Sequence, residues 1–417
     1  MRSSLQPETW PFSIALLPKD AYLVGGSVRD ALLSRKSNYL DLDFILPDSA
    51  IETASELAKA CSAGFVVLDA DRNIARVVFD QITVDFAQQQ GESLETDLRR
   101  RDFTINAIAY HPLTQTFVDP LGGKTDIANK TIRMVSPENL AADPLRLMRG
   151  YRQAAQLGFN IEPATQQTIH QLAPKLQQAS IERVRSELDA LLSAANGTVQ
   201  LKSILEHQLL QFCLPHFNRS SLKQIQAIDR AIAQIKITQP DYANRLQQWT
   251  KPVPAGCHRS WVKAAKLSCV TSGEKAIAQA ELTQLSYSKA EIQVILCLVK
   301  VAPTIESLKT RELSRSEQFF LFKLAGKNFL AIALLALAQG VEWAKIEPMI
   351  IRFLDPVDAI AHAQTLITGT EIMQQLNIKP GPELGKLIQA VERAQAEGHI
   401  TTPAAAIDWL RNMDSNT

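Results

Sequence analysis

The sequence predicts an α+β protein: a small α/β head on a mixed sheet, followed by an elongated all-helical remainder. Three observations carry this. Short β-branched runs alternate with helical patterns only up to about residue 135. Beyond that point strand signals fade, and helical periodicity continues to the C-terminus. Finally, 417 residues with 46% apolar side chains exceed one ordinary domain but can fill several cores.

In the head, Ala21–Val24, Leu42–Leu46, Phe65–Leu68, Ile74–Phe79, Ile82–Phe86 and Thr116–Val118 read as strands, and Glu52–Ala60 reads as a helix. The two near-adjacent strands between 74 and 86 imply a partly antiparallel sheet. In the remainder, Asp143-Pro144 opens a helix, with the Asp as cap and Pro at the first helical position, and Gly158 closes it. Helix breaks fall near Gly197, Pro240, Pro252-Val253-Pro254, Pro303 and Gly340, and no repeat or low-complexity segment occurs.

Lys+Arg 44 against Asp+Glu 43 leaves a net charge of +1, so any polyanion footprint must come from local patches. The five cysteines are scattered without CxxC spacing and read as reduced thiols. The N-terminal MRSSLQPETWPF lacks the apolar core of a signal peptide. The most apolar run, Phe329 to Ala338, is about half the length of a membrane span. These features predict a cytoplasmic protein with no membrane contact.

Chemistry concentrates in the head and just after it. In Leu23-Val24-Gly25-Gly26-Ser27-Val28-Arg29-Asp30 a strand enters a double glycine and then a helix, a form suited to close phosphate approach, with Arg29 as a bidentate donor. Next comes Asp41-Leu42-Asp43-Phe44. Alternation along a strand projects both carboxylates from one face, where they repel unless a cation lies between them. On the helix opened at Asp143, ~100° per residue puts Arg146, Arg149 and Arg152 on one flank, opposite Leu147, Met148, Tyr151, Ala154 and Ala155. A purely cationic flank suits a phosphate-lined groove. The middle helices carry Lys202, Lys223, Lys236, Lys251, His258, Arg259, Lys263 and Lys266, which read either as an RNA-backbone surface or as a solvated one.

Together with these pieces, Arg99-Arg100-Arg101-Asp102-Phe103-Thr104-Ile105-Asn106-Ala107-Ile108-Ala109 resembles the RRDFTxNAxA motif of the class II tRNA nucleotidyltransferase and bacterial poly(A) polymerase family. Asp119-Pro120-Leu121-Gly122-Gly123-Lys124-Thr125-Asp126 resembles its D-P-x-x-G-x-x-D turn. Asp143-Pro144-Leu145-Arg146 resembles its base-reading EDxxR segment, with Ala142 where the family has Glu. Ile181-Glu182-Arg183 is similar to a later helical motif, and Lys379 through Gly398 to the tail.

The resemblance implies a catalytic head over 1–135, a neck with the base-reading helix over 136–197, a body over 198–340 and a tail over 341–417. It implies that Asp41 and Asp43 hold Mg²⁺, with Asp85 in Ile82–Phe86 as a candidate third carboxylate. Gly26, Arg29, Arg101, Asp143, Arg146, Arg149 and Arg152 would line the incoming nucleotide. The reaction would be nucleotidyl transfer from CTP, and from ATP if the whole CCA end is built, onto the acceptor stem and 3′ end of tRNA. Full CCA enzymes of the family carry a flexible loop of a dozen or more residues after the third-carboxylate strand. Here only Gln88–Glu92 separates Ala87 from Ser93, a helix cap, which points to CC addition. A poly(A) polymerase shares every motif, and a catalytically inactive RNA-binding relative is the alternative of another class. With no His-Asp doublet, the metal-dependent phosphohydrolase module of some relatives is not expected. No motif encodes an oligomeric state.

Overall fold

The computed structural model describes residues 4–35, 39–248 and 259–414. The chain divides into two compact units, Met1–Phe212 and Cys213–Thr417.

The first unit is built on a seven-stranded mixed sheet of order β3-β4-β5-β2-β1-β6-β7. Its strands are β1 (Tyr22–Val24), β2 (Leu40–Leu46), β3 (Gly64–Asp69), β4 (Ile74–Val78), β5 (Ile82–Gln88), β6 (Ala109–His111) and β7 (Thr116–Val118). All pairings are antiparallel except β2 with β5, which sets Asp41 beside Thr83 and Asp43 beside Asp85. Six strands fall where alternation placed them. The additional strand, β6, comprises three buried residues that begin on the last alanine of the RRDFTINAIA run, so no polar/apolar alternation marks it.

Strand alternation gives the sheet its two sides. Leu42, Phe44 and Leu46 are buried at 1% exposure or less. Phe44 stacks on Phe86 at 5.5 Å and meets Trp10 edge-on at 5.4 Å. Asp41 and Asp43 take the other side. The helices of the head are α1 (Gly26–Leu32), α2 (Ala50–Cys61), α3 (Leu94–Leu98) and α4 (Gly123–Ala128). Ser93 caps α3 by accepting the Thr96 amide. A side chain at Gly123 would run into the Thr104 carbonyl, so only glycine lets α4 lie this close to the motif.

From residue 137 the unit is helical: α5 (Pro137–Ala142), α6 (Leu145–Leu157), α7 (Pro163–Leu172), α8 (Ile181–Ser193) and α9 (Gly197–Glu206). The two-residue strands β8 (Thr131–Ile132) and β9 (Asn160–Ile161), too short to carry a period, pair in parallel across α6. Helix α6 starts one residue later than its sequence suggests, with Pro144 at the N-cap, and Gly158 ends it at φ 68°. Its apolar face, Leu147, Met148, Tyr151, Ala154 and Ala155, is fully buried, as its periodicity requires.

Among its described residues the second unit is all-helical. Pro240 and Pro303 sit in the first turns of their helices, and Gly340 follows the end of another. The break at Pro252-Val253-Pro254, together with Lys251, Cys257 and His258, lies outside the described residues. The apolar helix Phe329–Ala338 packs against Arg219–Thr238, Trp261–Val270 and Trp343–Leu354. With Arg315–Ala325 and the intervening turn it forms a run of 24 residues, long and apolar enough to cross a membrane. Most of that run is buried in the bundle, and Gly326 breaks it at φ 49°, so it reads as core. The final helices, Gly369–Leu376, Pro382–Glu397 and Pro403–Asp414, share a core of Ile372, Val391, Ala394, Ala406 and Leu410.

This unit also decides part of the charge scatter. Lys263 is 1% exposed and bonds Glu291 at 3.0 Å, Arg259 joins the same carboxylate at 3.2 Å, and buried Lys266 pairs with Asp229 at 2.7 Å. These three cations neutralise internal acids and do not form a free RNA-facing surface.

Candidate active site

A cavity of about 1200 Å³ opens between the sheet face carrying Asp41 and Asp43 and the arginine flank of α6. Every residue lining it belongs to the first unit. Gly26, Arg29, Asp41, Asp43, Arg101, Asp143, Arg146, Arg149 and Arg152 all line it. Asp85 does not.

The acidic corner is set by β2. Gly25 turns the chain from β1 into α1 at φ 75°, and a Cβ there would stand 3.2 Å from Asp43 Oδ2 and 3.4 Å from Arg101 Nη1. The glycine therefore serves both the backbone turn and the space around the carboxylate. Thr83 donates to Asp41 Oδ1. Among the described residues no donor bonds the Asp43 carboxylate. Burial, and then the charges of Asp41 and Asp85, push its pKa up to about 7. Arg101 sits nearby with its Nε buried and without a partner, while its terminal nitrogens make only long bonds to the Asn106 carbonyl (3.5 Å) and Asp97 (3.4 Å). Arg76 binds both oxygens of Asp85, at 2.6 and 2.7 Å. The third-carboxylate expectation thus meets a different arrangement: Asp85 is in register with Asp43 but is occupied by an ion pair.

Among the described residues no group of three or more His, Cys, Asp or Glu gathers in metal-holding geometry. Asp41 and Asp43 still fit a divalent cation. They stand two residues apart on one strand, and the pKa of Asp43 is raised by burial and then by repulsion from neighbouring carboxylates, a repulsion that a cation would relieve.

The cationic wall is held differently. Arg149 bonds Asp102 through Nε and Nη2, each at 2.9 Å. Burial alone would raise the Asp102 carboxyl, but Arg149 and the bonds from Asn106 and the Phe103 amide outweigh it and lower its pKa. Arg152 bonds Glu187 at 2.5 Å and Gln156 at 2.7 Å. Arg146 donates from Nη1 to the carbonyls of Arg100 and Asn139, at 3.0 and 3.1 Å. Arg29 donates to Asp30, Asn106 and Gln153. Asp143 accepts the Leu145 amide at 3.3 Å, a weak cap, and Arg183 Nη2 at 3.1 Å. The Ile181-Glu182-Arg183 segment thereby reaches the acid that follows Ala142.

Asp102, Asn106, Gln153 and Arg183 are site residues that sequence reading did not single out. Gln153 left a usable signal: it follows Arg149 by four positions, about 40° around the helix, on the same flank.

Residues 21–133 match the family model for the poly A polymerase head domain. Residues 158–220 match that for the probable RNA and SrmB-binding site of polymerase A, and 258–410 that for tRNA nucleotidyltransferase domain 2. The chain is 41% identical to the CC-adding tRNA nucleotidyltransferase of Synechocystis sp. over 97% of its own length and 96% of that protein's. It is 31% identical to the A-adding tRNA nucleotidyltransferase of Deinococcus radiodurans, over 96% and 97% of the two chains. A solved CCA-adding enzyme with ATP shares the fold at TM-score 0.71 and 20% identity, covering 95% of this chain and 91% of that one. The chain therefore belongs to the family of tRNA nucleotidyltransferases and poly(A) polymerases.

Proposed function

We propose that the chain is a CC-adding tRNA nucleotidyltransferase, which transfers CMP from CTP to the 3′ end of a tRNA lacking its CCA. One arrangement carries the reading: two neighbouring carboxylates face, across a single cavity, a row of arginines already fixed by bonds within the protein. In this reaction the RNA 3′-oxygen attacks the α-phosphorus, a new P–O bond forms, and the bond to the β-phosphate breaks to release pyrophosphate.

Arg29, Arg149 and Arg152 would bind the triphosphate. Asp102 and Glu187 orient the last two before any nucleotide arrives, so little reorganisation is left for the reaction. Asp143 and Arg146 would read the base. A carboxylate accepts the exocyclic amine of cytosine and a guanidinium donates to the adjacent ring acceptor, whereas uracil turns a carbonyl toward the carboxylate. Arg146 Nη1, pinned by two carbonyls, and Asp143, held by Arg183, suit that task. Nucleotidyltransferases of this family are generally dependent on a divalent metal. Asp41 and Asp43 would hold magnesium, which when bound lowers the pKa of the attacking hydroxyl and neutralises phosphate charge.

Two points favour CC addition over the full CCA. β5 ends at Gln88 and α3 begins at Leu94, leaving five residues, Gln89–Ser93, between them. A bridge that short and capped at Ser93 has little reach with which to reshape a pocket from C to A. The second point is the CC-adding activity named for the 41% identical relative. The site of action would be the cytoplasm. The test is to offer tRNA lacking its CCA with each labelled nucleoside triphosphate singly, in magnesium. CMP incorporation alone is expected. Incorporation of AMP on an unstructured RNA would instead indicate a poly(A) polymerase, and no incorporation an inactive RNA-binding relative.

A further inference from the structure

The strongest unassigned feature is a buried amide at the back of the cavity. Gln153, on α6 one turn past Arg149, is 2% exposed yet lies on the cavity wall. Its Oε1 accepts from Arg29 Nη1 at 3.3 Å and from Asn106 Nδ2 at 2.9 Å. Arg29 Nη1 also donates to Asn106 Oδ1 at 2.7 Å, so side chains from three separate segments close on one another. The remaining Asn106 hydrogen goes to Asp102 at 2.9 Å, and Asp102 holds Arg149.

The chemistry of the amide fixes its orientation. Both bonds come from donors, so the carbonyl faces inward. Packing alone does not call for glutamine here, because an apolar side chain would fill the same space without burying an amide. A second pull acts on Arg29. Its Nε donates to Asp30 at 2.9 Å, and that carboxylate is 41% exposed. Gln153 opposes this outward pull.

We infer that Gln153 is a positioning residue for the incoming nucleotide: through Arg29 and Asn106 it ties the phosphate-binding end of the head to the helix that reads the base. This rests on the nucleotidyl-transfer reading above. Removing its carbonyl releases one acceptor from a charged donor, leaves Arg29 to Asp30 and Asn106, and uncouples it from α6.

The test uses the full chain, tRNA lacking its CCA, and CTP as the varied substrate. Gln153→Met should raise KM for CTP roughly tenfold, as expected for loss of a hydrogen bond to a charged group, and leave KM for tRNA within about twofold. Placed in an Arg29→Ala background it should add no further rise, since its hold on the nucleotide, direct or by way of Asn106, ends at Arg29. An unchanged KM for CTP in a folded variant would overturn the inference. So would an equal rise in both KM values, or the same tenfold rise in the Arg29→Ala background. If Gln153→Met does not fold, Gln153→Ala is read in the same two backgrounds. A wild-type chain that incorporates no CMP would overturn the underlying reading itself, before any variant is compared.

Discussion

Asp43, half-buried, and Asp102, buried, are two carboxylates on one cavity, and their surroundings treat them in opposite ways. Asp43 has acidic neighbours, no bonded donor among the described residues, and a pKa pushed up to about 7 by burial and those neighbours. Asp102 is also removed from water, but Arg149, Asn106 and the Phe103 amide bring its carboxyl below the usual range. Desolvation acts on both. What separates them is whether the protein supplies the countercharge. Asp102 is complete as it stands and works as scaffold for the arginine wall. On the proposed reading, the countercharge of Asp43 comes from outside the chain.

The contrast can be broken most directly at Asp43. Asp43→Asn should lower CMP incorporation by at least ~10³-fold, because metal stabilisation of the transition state is worth several kcal/mol. Affinity for tRNA should stay near wild type, and magnesium should raise the melting temperature of the wild type but not of the variant. Retention of more than about a tenth of the rate, equivalent to ~1.4 kcal/mol, would remove Asp43 from the metal site.

At Asp102 the expected loss is of stability. Asp102→Asn strands Arg149 without its partner and should cost about 3 kcal/mol in denaturant unfolding. The sign of the pH effect follows from the lowered carboxyl. Its contribution is present above the unfolded-state pKa of 3.8 and is lost as pH falls through the lower folded value, so the variant should show a shallower acid-side decline than wild type. Identical stability and an identical acid slope would contradict the scaffold role.

Asp143 lies between these extremes, part-exposed and held by Arg183. Asp143→Ala should cut the CTP:UTP incorporation ratio by about tenfold, the scale of one lost base contact, whereas loss of a cap alone would lower stability by roughly 1 kcal/mol. An unchanged ratio beside a lowered melting temperature would leave it a structural acid. The smallest effect is expected at Asp85, whose oxygens are both taken by Arg76. Asp85→Asn should slow incorporation by less than about tenfold, in line with a nearby charge acting through a screened field. A loss as deep as that of Asp43→Asn would place Asp85 among the metal-facing groups.

The acidic corner was legible in sequence because both of its determinants are local: a period of two along β2, and the glycine turn before α1. The arginine flank was legible for the same reason, a helical period with apolar residues opposite. What could not be read was which arginine each acid would take. Arg149 meets Asp102 from 47 positions away, Arg183 meets Asp143 from 40, and Gln153 meets Arg29 from 124. Such pairs depend on how α6 lies against the sheet, and no local periodicity encodes that. Strand β6 escaped notice because full burial erases alternation, and Lys263 and Lys266 looked available for RNA because their acidic partners sit on other helices.

On the proposed reading, this cavity adds cytidylates and stops. This is tested most directly by incubating tRNA that ends before its CCA with CTP and ATP together, in magnesium, and resolving products at single-nucleotide length. The expected product is tRNA extended by two residues, both C. Predominant extension by three residues ending in A would contradict this reading, and would show that the five-residue bridge from β5 to α3 does not limit the pocket to cytosine.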